Sequence, residues 1–470
     1  PKLLTVNSAY LNGSIEGTEY VFRVENGQAD LTVFEGTVIA ANDHGSMPVT
    51  MGKSVTAKDG EAPKPRILVN PRDEVTWGLY YPSVLLSSDK ADANVKEAAR
   101  LLEVGRVDEA QSKLASSSSG LAYALKAVIN VALNNVDQAL SDGRKAVEMS
   151  PSAASSIALS YAQQASLNLE AAQATMQSAH NAHPDNALAL SRLSELTLML
   201  GDRKAALELA NKAVSIDPGL AHTQVVLGYA ALAAYKHEVA NAAFSKAMSR
   251  DSSNPLSHLG MGLAKISAGN LTDGRKDIEA AVAMDSNDAI LRAYLGKSYF
   301  EETRDNLATE QYEIAKTLDA NDPTAYLYSG IMKQTNNDPV GALADIEKSI
   351  ELNDNRAVYR SRLLLDKDRA ARGTSLARVY SDLGFDQLGL NKASDSLATD
   401  PSNASAHRFL SDTYRSMGRH ETARVSELQQ AQMLQDINVN PIQPSQADTN
   451  LNIVTSGGPA GAGFNEFTPL

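Results

Sequence analysis

Residues 254–287, NPLSHLGMGLAKISAGNLTDGRKDIEAAVAMDSN, and residues 288–321, DAILRAYLGKSYFEETRDNLATEQYEIAKTLDAN, lie one on the other without a gap. Gly262 falls on Gly296, Gly274 on Ala308, Ile278 on Tyr312 and Ala281 on Ala315. The interval of 34 residues runs outward both ways, through Gly228 and Gly330, and backward to Ser194 and Ser160. Leu159, Leu193, Leu227, Met261 and Leu295 stand just before these small residues. Twelve positions after them come Ala172, Ala206, Ala240, Gly274, Ala308 and Ala342, and seven beyond those Ala179, Ala213, Ala247, Ala281, Ala315 and Ser349. A fixed period of this length marks stacked copies of one supersecondary unit.

The chemistry of the repeating positions says which unit. Small residues on two helices let their backbones approach closely, and a bulky residue between them (Met176, Phe244, Ile278, Tyr312, Ile346) fills the remaining hole. Pro151, Pro184, Pro218 and Pro401 close units by stopping the second helix. The pattern resembles the tetratricopeptide repeat (TPR), which implies a mainly α, right-handed solenoid of helical pairs. Outside the six in-register units the phase loosens. One unit begins near Gly120 and a degenerate one near Ala91, separated by the serines at 116–119, and two more start near Ala370 and Ala404. About ten helical pairs are expected over 91–435, with an extra helical segment near 357–369.

Ahead of the repeats the period is two. Tyr20, Phe22 and Val24 share a face, Asn26-Gly27 supplies a turn, and Leu31 and Val33 resume the alternation, which is a hairpin signal. Thr37–Ile39 continues as a strand and 49–55 reads as another, before Pro63, Pro65, Pro71 and Pro82 break the chain into a linker reaching residue 90. Residues 16–24, EGTEYVFRV, and 31–38, LTVFEGTV, resemble the FecR domain. A small all-β domain over 1–80 is therefore expected. FecR proteins that regulate sigma factors carry a cytoplasmic segment and a membrane helix ahead of this domain, and neither is visible here.

Residues 436–470 read as an extended tail rich in Pro and Gly. The order of segments, with 355–368 (NRAVYRSRLLLDKD), 375–385 (SLARVYSDLGF), 405–435 (SAHRFLSDTYRSMGRHETARVSELQQAQMLQ), 440–458 (NPIQPSQADTNLNIVTSGG) and 464–467 (FNEF), resembles Gram-negative envelope proteins. Those proteins combine a FecR domain, TPR units and an outer-membrane β-barrel. The resemblance implies the periplasm, outer membrane or cell surface. Nothing after Phe464 has the length of a barrel strand. The chain begins at Pro1, so a leader is expected to have been removed or left out of the numbering.

Composition narrows function further. The net charge is -13 with no Lys/Arg run, which disfavours contact with phosphate backbones. There is no cysteine, hence no disulfide, thiol nucleophile or thiolate metal site. No stretch approaches the roughly 18 apolar residues of a membrane helix. His237-Glu238 and His420-Glu421 open like zinc-protease helices but lack the second histidine, at Asn241 and Arg424. Gly52-Lys53-Ser54 lacks the glycine of a phosphate loop at Met47, and His180 with His183 reads as a solvated helix end. No enzyme, cofactor or metal site is expected.

In a TPR array the second, fifth, ninth and twelfth residues of each first helix face the concave side. That register selects His222, Val225, Tyr229 and Leu232, then Leu256, Leu259, Leu263 and Ile266, then Ile290, Ala293, Lys297 and Phe300, then Thr324, Leu327, Ile331 and Gln334. This set is apolar, and an exposed stripe of its size is an aggregation liability unless something covers it. Superhelical curvature, a partner's helix or extended segment, and the chain's own tail are the three available covers. Arg356, Arg360, Arg362, Arg369 and Arg372, interleaved with Asp366 and Asp368, form a second candidate patch for an acidic partner, or an exposed face laced with ion pairs.

The first functional expectation is a non-catalytic scaffold holding other envelope proteins. An alternative is a subunit that joins head to tail into a fibre, since an open solenoid has two unlike ends and the tail can add a strand to a neighbour. A FecR-type signalling regulator is a third.

Overall fold

The computed structural model describes residues 4–8, 11–15, 19–25, 27–35, 37–50, 53–66, 81–86, 89–103, 106–355, 365–417 and 420–434. The chain divides into two compact units, Pro1–Leu79 with Val104–Val107 and Tyr80–Glu103 with Asp108–Leu470.

The first unit is all β. Its eight described strands are β1 Leu4–Asn7, β2 Asn12–Ile15, β3 Glu19–Glu25, β4 Gln28–Glu35, β5 Thr37–Asn42, β6 Gly45–Thr50, β7 Ser54–Lys58 and β8 Lys64–Arg66. They form two antiparallel sheets, ordered β1-β2-β5-β6 and β3-β4-β7-β8. The expected hairpin is β3–β4, closed by Glu25 opposite Gln28, with Gly27 at a φ of 80° that its missing Cβ permits. Leu11, Leu31, Val33, Val38, Val49 and Val55 are buried in its core.

Two sequence expectations are corrected in this unit. The single strand read over 49–55 is the end of β6 and the start of β7, because the chain leaves one sheet there and enters the other. Residues read as the start of a proline linker include β8, where Pro65 lies opposite Val55. Among the described residues β8 is an edge strand, the place in a sheet where proline is tolerated.

The second unit is a TPR-type solenoid. Its described helices are α1 Ala93–Glu103, α2 Val107–Ala115, α3 Gly120–Ala132, α4 Val136–Met149, α5 Ala153–Ala165, α6 Leu169–Ala182, α7 Ala187–Met199 and α8 Arg203–Ile216. There follow α9 Ala221–Ala233, α10 His237–Arg250, α11 Pro255–Ser267, α12 Leu271–Met284, α13 Ala289–Glu301 and α14 Asp305–Leu318. The last are α15 Pro323–Thr335, α16 Pro339–Glu351, α17 Leu365–Asp382, α18 Asp386–Thr399, α19 Ala404–Ser416 and α20 Glu421–Leu434. Successive helices pack as antiparallel pairs. The expected extra helical segment lies outside the described residues up to 364, and 365–369 are the opening turns of α17, an 18-residue helix. The tail from 436 onward also lies outside the described residues.

The repeating small residues do what their spacing implies. A Cβ added to Gly228 would sit 2.4 Å from Phe244, one on Gly262 2.8 Å from Ile278, one on Gly296 2.7 Å from Tyr312, and one on Gly330 2.6 Å from Ile346. Each glycine thus meets the bulky residue 16 positions on, in the partner helix of its own pair. Polar caps recur at the same period: Asn254, Asp288 and Asp322 accept hydrogen bonds from the opening N–H groups of α11, α13 and α15. Asn168, Asp202, Asn270 and Asp338 do so for α6, α8, α12 and α16.

Candidate binding groove

The concave register falls on the first helices of four consecutive pairs, α9, α11, α13 and α15, and the structure spends most of it on packing. Val225, Tyr229, Leu232, Leu259, Leu263, Lys297, Leu327 and Ile331 are buried. His222, Leu256, Ile266, Ile290 and Phe300 are half-buried. The reason is that neighbouring first helices press against each other along this line. Tyr229 donates its hydroxyl hydrogen to the carbonyl of Leu256 at 2.6 Å, reaching from α9 to α11. The Lys297 ammonium pairs with Glu301 and lies 5.9 Å from the Tyr328 ring centroid on α15. The continuous exposed apolar stripe is therefore replaced by a core with openings.

One opening is a cavity of about 310 Å³. Of the register residues it exposes His222, Val225, Tyr229, Leu256, Leu259 and Ile290. Leu232, Leu263, Ile266, Lys297, Phe300, Leu327 and Ile331 do not line it. Its floor runs back to α5 and α7, where Tyr161 and Glu195 occupy the position that Tyr229 holds in α9.

There the groove becomes polar. The Arg192 guanidinium stacks 3.8 Å above the Tyr161 ring. It donates to Ser160 Oγ at 3.0 Å, Gln164 Oε1 at 2.6 Å and Glu195 Oε2 at 2.8 Å. The other Glu195 oxygen lies 3.1 Å from His222 Nε2. Burial pushes the Glu195 carboxyl up, but His222 and Arg192 together outweigh it and hold it below the usual range. Burial also raises the Tyr161 and Tyr229 phenols, so both stay protonated, Tyr229 with its hydrogen committed to the Leu256 carbonyl.

The opposite wall carries Asp285, Asp288 and Asp319, from the loops before α13 and after α14. Asp288 caps α13, accepting from the N–H groups of Ile290 at 2.8 Å and Leu291 at 3.2 Å. Burial leads the effects that raise its carboxyl, and Asp319 adds to it. The site thus combines an apolar floor with hydrogen-bonding walls of both kinds, the make-up of a pocket that orients a ligand. Among the described residues no three His, Asp or Glu converge as metal ligands, and no helix is long and apolar enough to cross a membrane.

A stretch read as plain linker also meets the groove. Tyr81 is 5% exposed and Val84 2%, and Pro82 lines the cavity itself. Burial first, and then the carboxylates of Asp285 and Asp108, push the Tyr81 phenol far up.

The arginine patch is corrected at one position, Arg372. Arg356, Arg360 and Arg362 lie outside the described residues. Arg369 is exposed, but Arg372 is buried and donates to the carbonyls of Ser349 at 3.2 Å and Pro323 at 3.5 Å. It ties helix ends together from inside, since Ser349 lies near the end of α16 and Pro323 opens α15.

Sequence reasoning missed Tyr161, Arg192, Glu195, Asp285, Asp288 and Asp319. The register signal was present for two of them: stepping back 34 and 68 residues from Tyr229 reaches Glu195 and Tyr161. Nothing in the sequence marked Tyr81 and Pro82 as groove residues.

No family model and no curated protein matches the chain. Among solved structures, the chain is similar to one in the Cut9–Hcn1 hetero-tetramer of the APC/C, with a TM-score of 0.52 and 14% identity over 75% of this chain and 82% of that one. It is also similar to a tetratricopeptide repeat protein from Parabacteroides merdae, with a TM-score of 0.36 and 18% identity over 52% of this chain and 99% of that one. A thermophilic TPR protein of Thermus thermophilus gives a TM-score of 0.33 and 23% identity over 36% of this chain and 93% of that one. The first of these likenesses extends the pairwise helical packing seen here to the level of the fold.

Proposed function

We propose that the protein is a non-catalytic scaffold of the Gram-negative envelope that holds an extended segment of another protein in the groove of its solenoid. The observation that carries this reading is the cavity of about 310 Å³, walled by Tyr161, Glu195, His222, Tyr229, Leu256 and Ile290. Of these, Tyr161, Glu195 and Tyr229 stand on the first-helix position whose later counterparts Leu263, Lys297 and Ile331 are buried and do not line the cavity. A shape of this kind suits a peptide strand: apolar side chains settle on Leu256, Leu259 and Ile290, while backbone groups meet His222, Tyr161 and the carboxylates. The fold, supported by the Cut9–Hcn1 likeness, is one that stacks units into an extended binding surface. The resemblance of 16–24 and 31–38 to FecR supports the β unit as a second docking module and the envelope as the compartment.

The test places a photo-crosslinking amino acid at Ile290 in the groove and, separately, at Lys212, an exposed residue of α8. Crosslinks to a partner protein from position 290 and none from 212 are expected, with the chain in the envelope fraction. Equal crosslinking from both positions, or none from 290, would remove the groove from the reading. Recovery of the chain in the cytosolic fraction alone would remove the envelope.

A further inference from the structure

We infer that residues 81–86, Tyr-Pro-Ser-Val-Leu-Leu, are a built-in ligand of the groove, which a partner must displace with an extended segment of like chemistry. The inference rests on the groove reading above and adds how that groove is regulated.

Three observations converge on the segment. It carries no helix or strand, yet Tyr81 and Val84 are 5% and 2% exposed, a degree of burial foreign to a solvated linker. Pro82 shares the cavity wall with Leu256, Leu259 and Ile290, so the segment meets the cavity at that residue. The Tyr81 phenol is near enough to Asp285 and Asp108 to feel both charges, which sets its polar end against the acidic wall.

The segment also holds itself extended and finished. Leu86 N–H donates to Asp89 Oδ2 at 2.7 Å, and Asp92 Oδ1 accepts from Val95 N–H at 2.9 Å as α1 begins. An X-Pro step at Tyr81-Pro82 keeps Tyr81 out of helical geometry, so little conformational freedom remains to be lost on seating.

A tethered segment of this sort competes at the effective concentration set by its short connection, on the order of millimolar. It therefore lowers the apparent affinity of any incoming peptide by the fraction of time the groove is filled. The incoming chemistry it mimics is specific: an aromatic hydroxyl donor, a proline, then aliphatic side chains.

The experiment uses the full chain and a fluorescein-labelled peptide of residues 81–86 with blocked ends, followed by fluorescence anisotropy. The peptide is titrated with the wild-type chain and with a Tyr81→Ala/Val84→Ala variant, whose helical content is checked by circular dichroism. The variant is expected to bind the peptide roughly tenfold more tightly than the wild type, and adding Ile290→Arg to it is expected to abolish binding. Equal affinity for wild type and variant, with Ile290→Arg still abolishing it, overturns the built-in ligand and leaves the groove reading intact. Absence of peptide binding to the variant, while position 290 crosslinks a partner, does the same. Binding that ignores Ile290→Arg overturns both.

Discussion

Phe244 shows how much a single position settles. Its ring is held between two glycines of different pairs: a Cβ on Gly228 of α9 would lie 2.4 Å from it, and one on Gly260 of α11 2.3 Å. Tyr229 closes the third side, edge-on with centroids 5.0 Å apart. Gly228→Ala improves helix propensity by about 1 kcal/mol, yet the overlap is expected to dominate. The net loss should be about 1–3 kcal/mol, read from urea denaturation, with Phe244→Leu recovering part of it in the double variant. An unchanged or raised midpoint for Gly228→Ala alone would contradict the close approach. Gly228 was legible from its period. Gly260 was not, because it answers to a side chain in the preceding pair and belongs to no repeat of its own. Arg372 carries the same lesson for charge: beside Arg369 it reads as a surface cation, and only packing shows it inside.

At the level of elements, the turn between the two helices imposes a left-handed residue in six consecutive pairs, α5–α6 through α15–α16. Leu167, Gly201, Tyr235, Gly269, Thr303 and Asn337 occupy it at 34-residue intervals, with φ between 57° and 96°. Glycine meets that demand without cost, whereas a β-branched residue is strained. Thr303 is exposed and its hydroxyl bonds only to the adjacent Glu302 carbonyl, so little is lost with it. Thr303→Gly is therefore expected to stabilise the protein by about 1 kcal/mol, seen as a higher thermal midpoint. A lower midpoint would mean that the turn is not under strain. The loops between pairs repeat as well. Asp217, Asp251, Asp285 and Asp319 each accept from the N–H two residues on, so their first duty is to shape the loop. That is why the acidic wall of the groove hid in plain view: its residues had a structural reason to be there.

At the scale of the solenoid, buried ion pairs tie helices together both within a pair and between neighbouring pairs. Asp345 of α16 accepts from Lys316 of α14 at 2.9 and 3.0 Å, and from Ser329 and Lys333 of α15 at 2.6 Å each. Burial pushes its carboxyl up, but Lys333, Ser329 and Lys316 prevail and hold it below the ordinary 3.8. A carboxyl depressed on folding contributes stability that is present above its unfolded value and lost as pH falls through the folded one. Asp345→Asn is thus expected to cost about 2–3 kcal/mol near neutral pH, with the deficit shrinking below about pH 3.8. A deficit independent of pH in thermal melts would show that the charge is not what matters.

The sequence alone was enough for the repeating architecture, since small residues at a fixed period can only be satisfied by helices nested the same way each time. It also carried the β3–β4 hairpin, through its alternation and the Asn26-Gly27 turn. It was not enough for the groove. Whether Leu263 is core and Leu256 half open depends on how far each first helix leans on the next, and equivalent positions in the repeat then end in different surroundings. Nor did it place Tyr81 and Pro82, because a stretch without periodicity carries no record of what it packs against. Local patterns encode contacts at constant spacing; a contact between a linker and helices far along the chain exists only once the fold has brought them together.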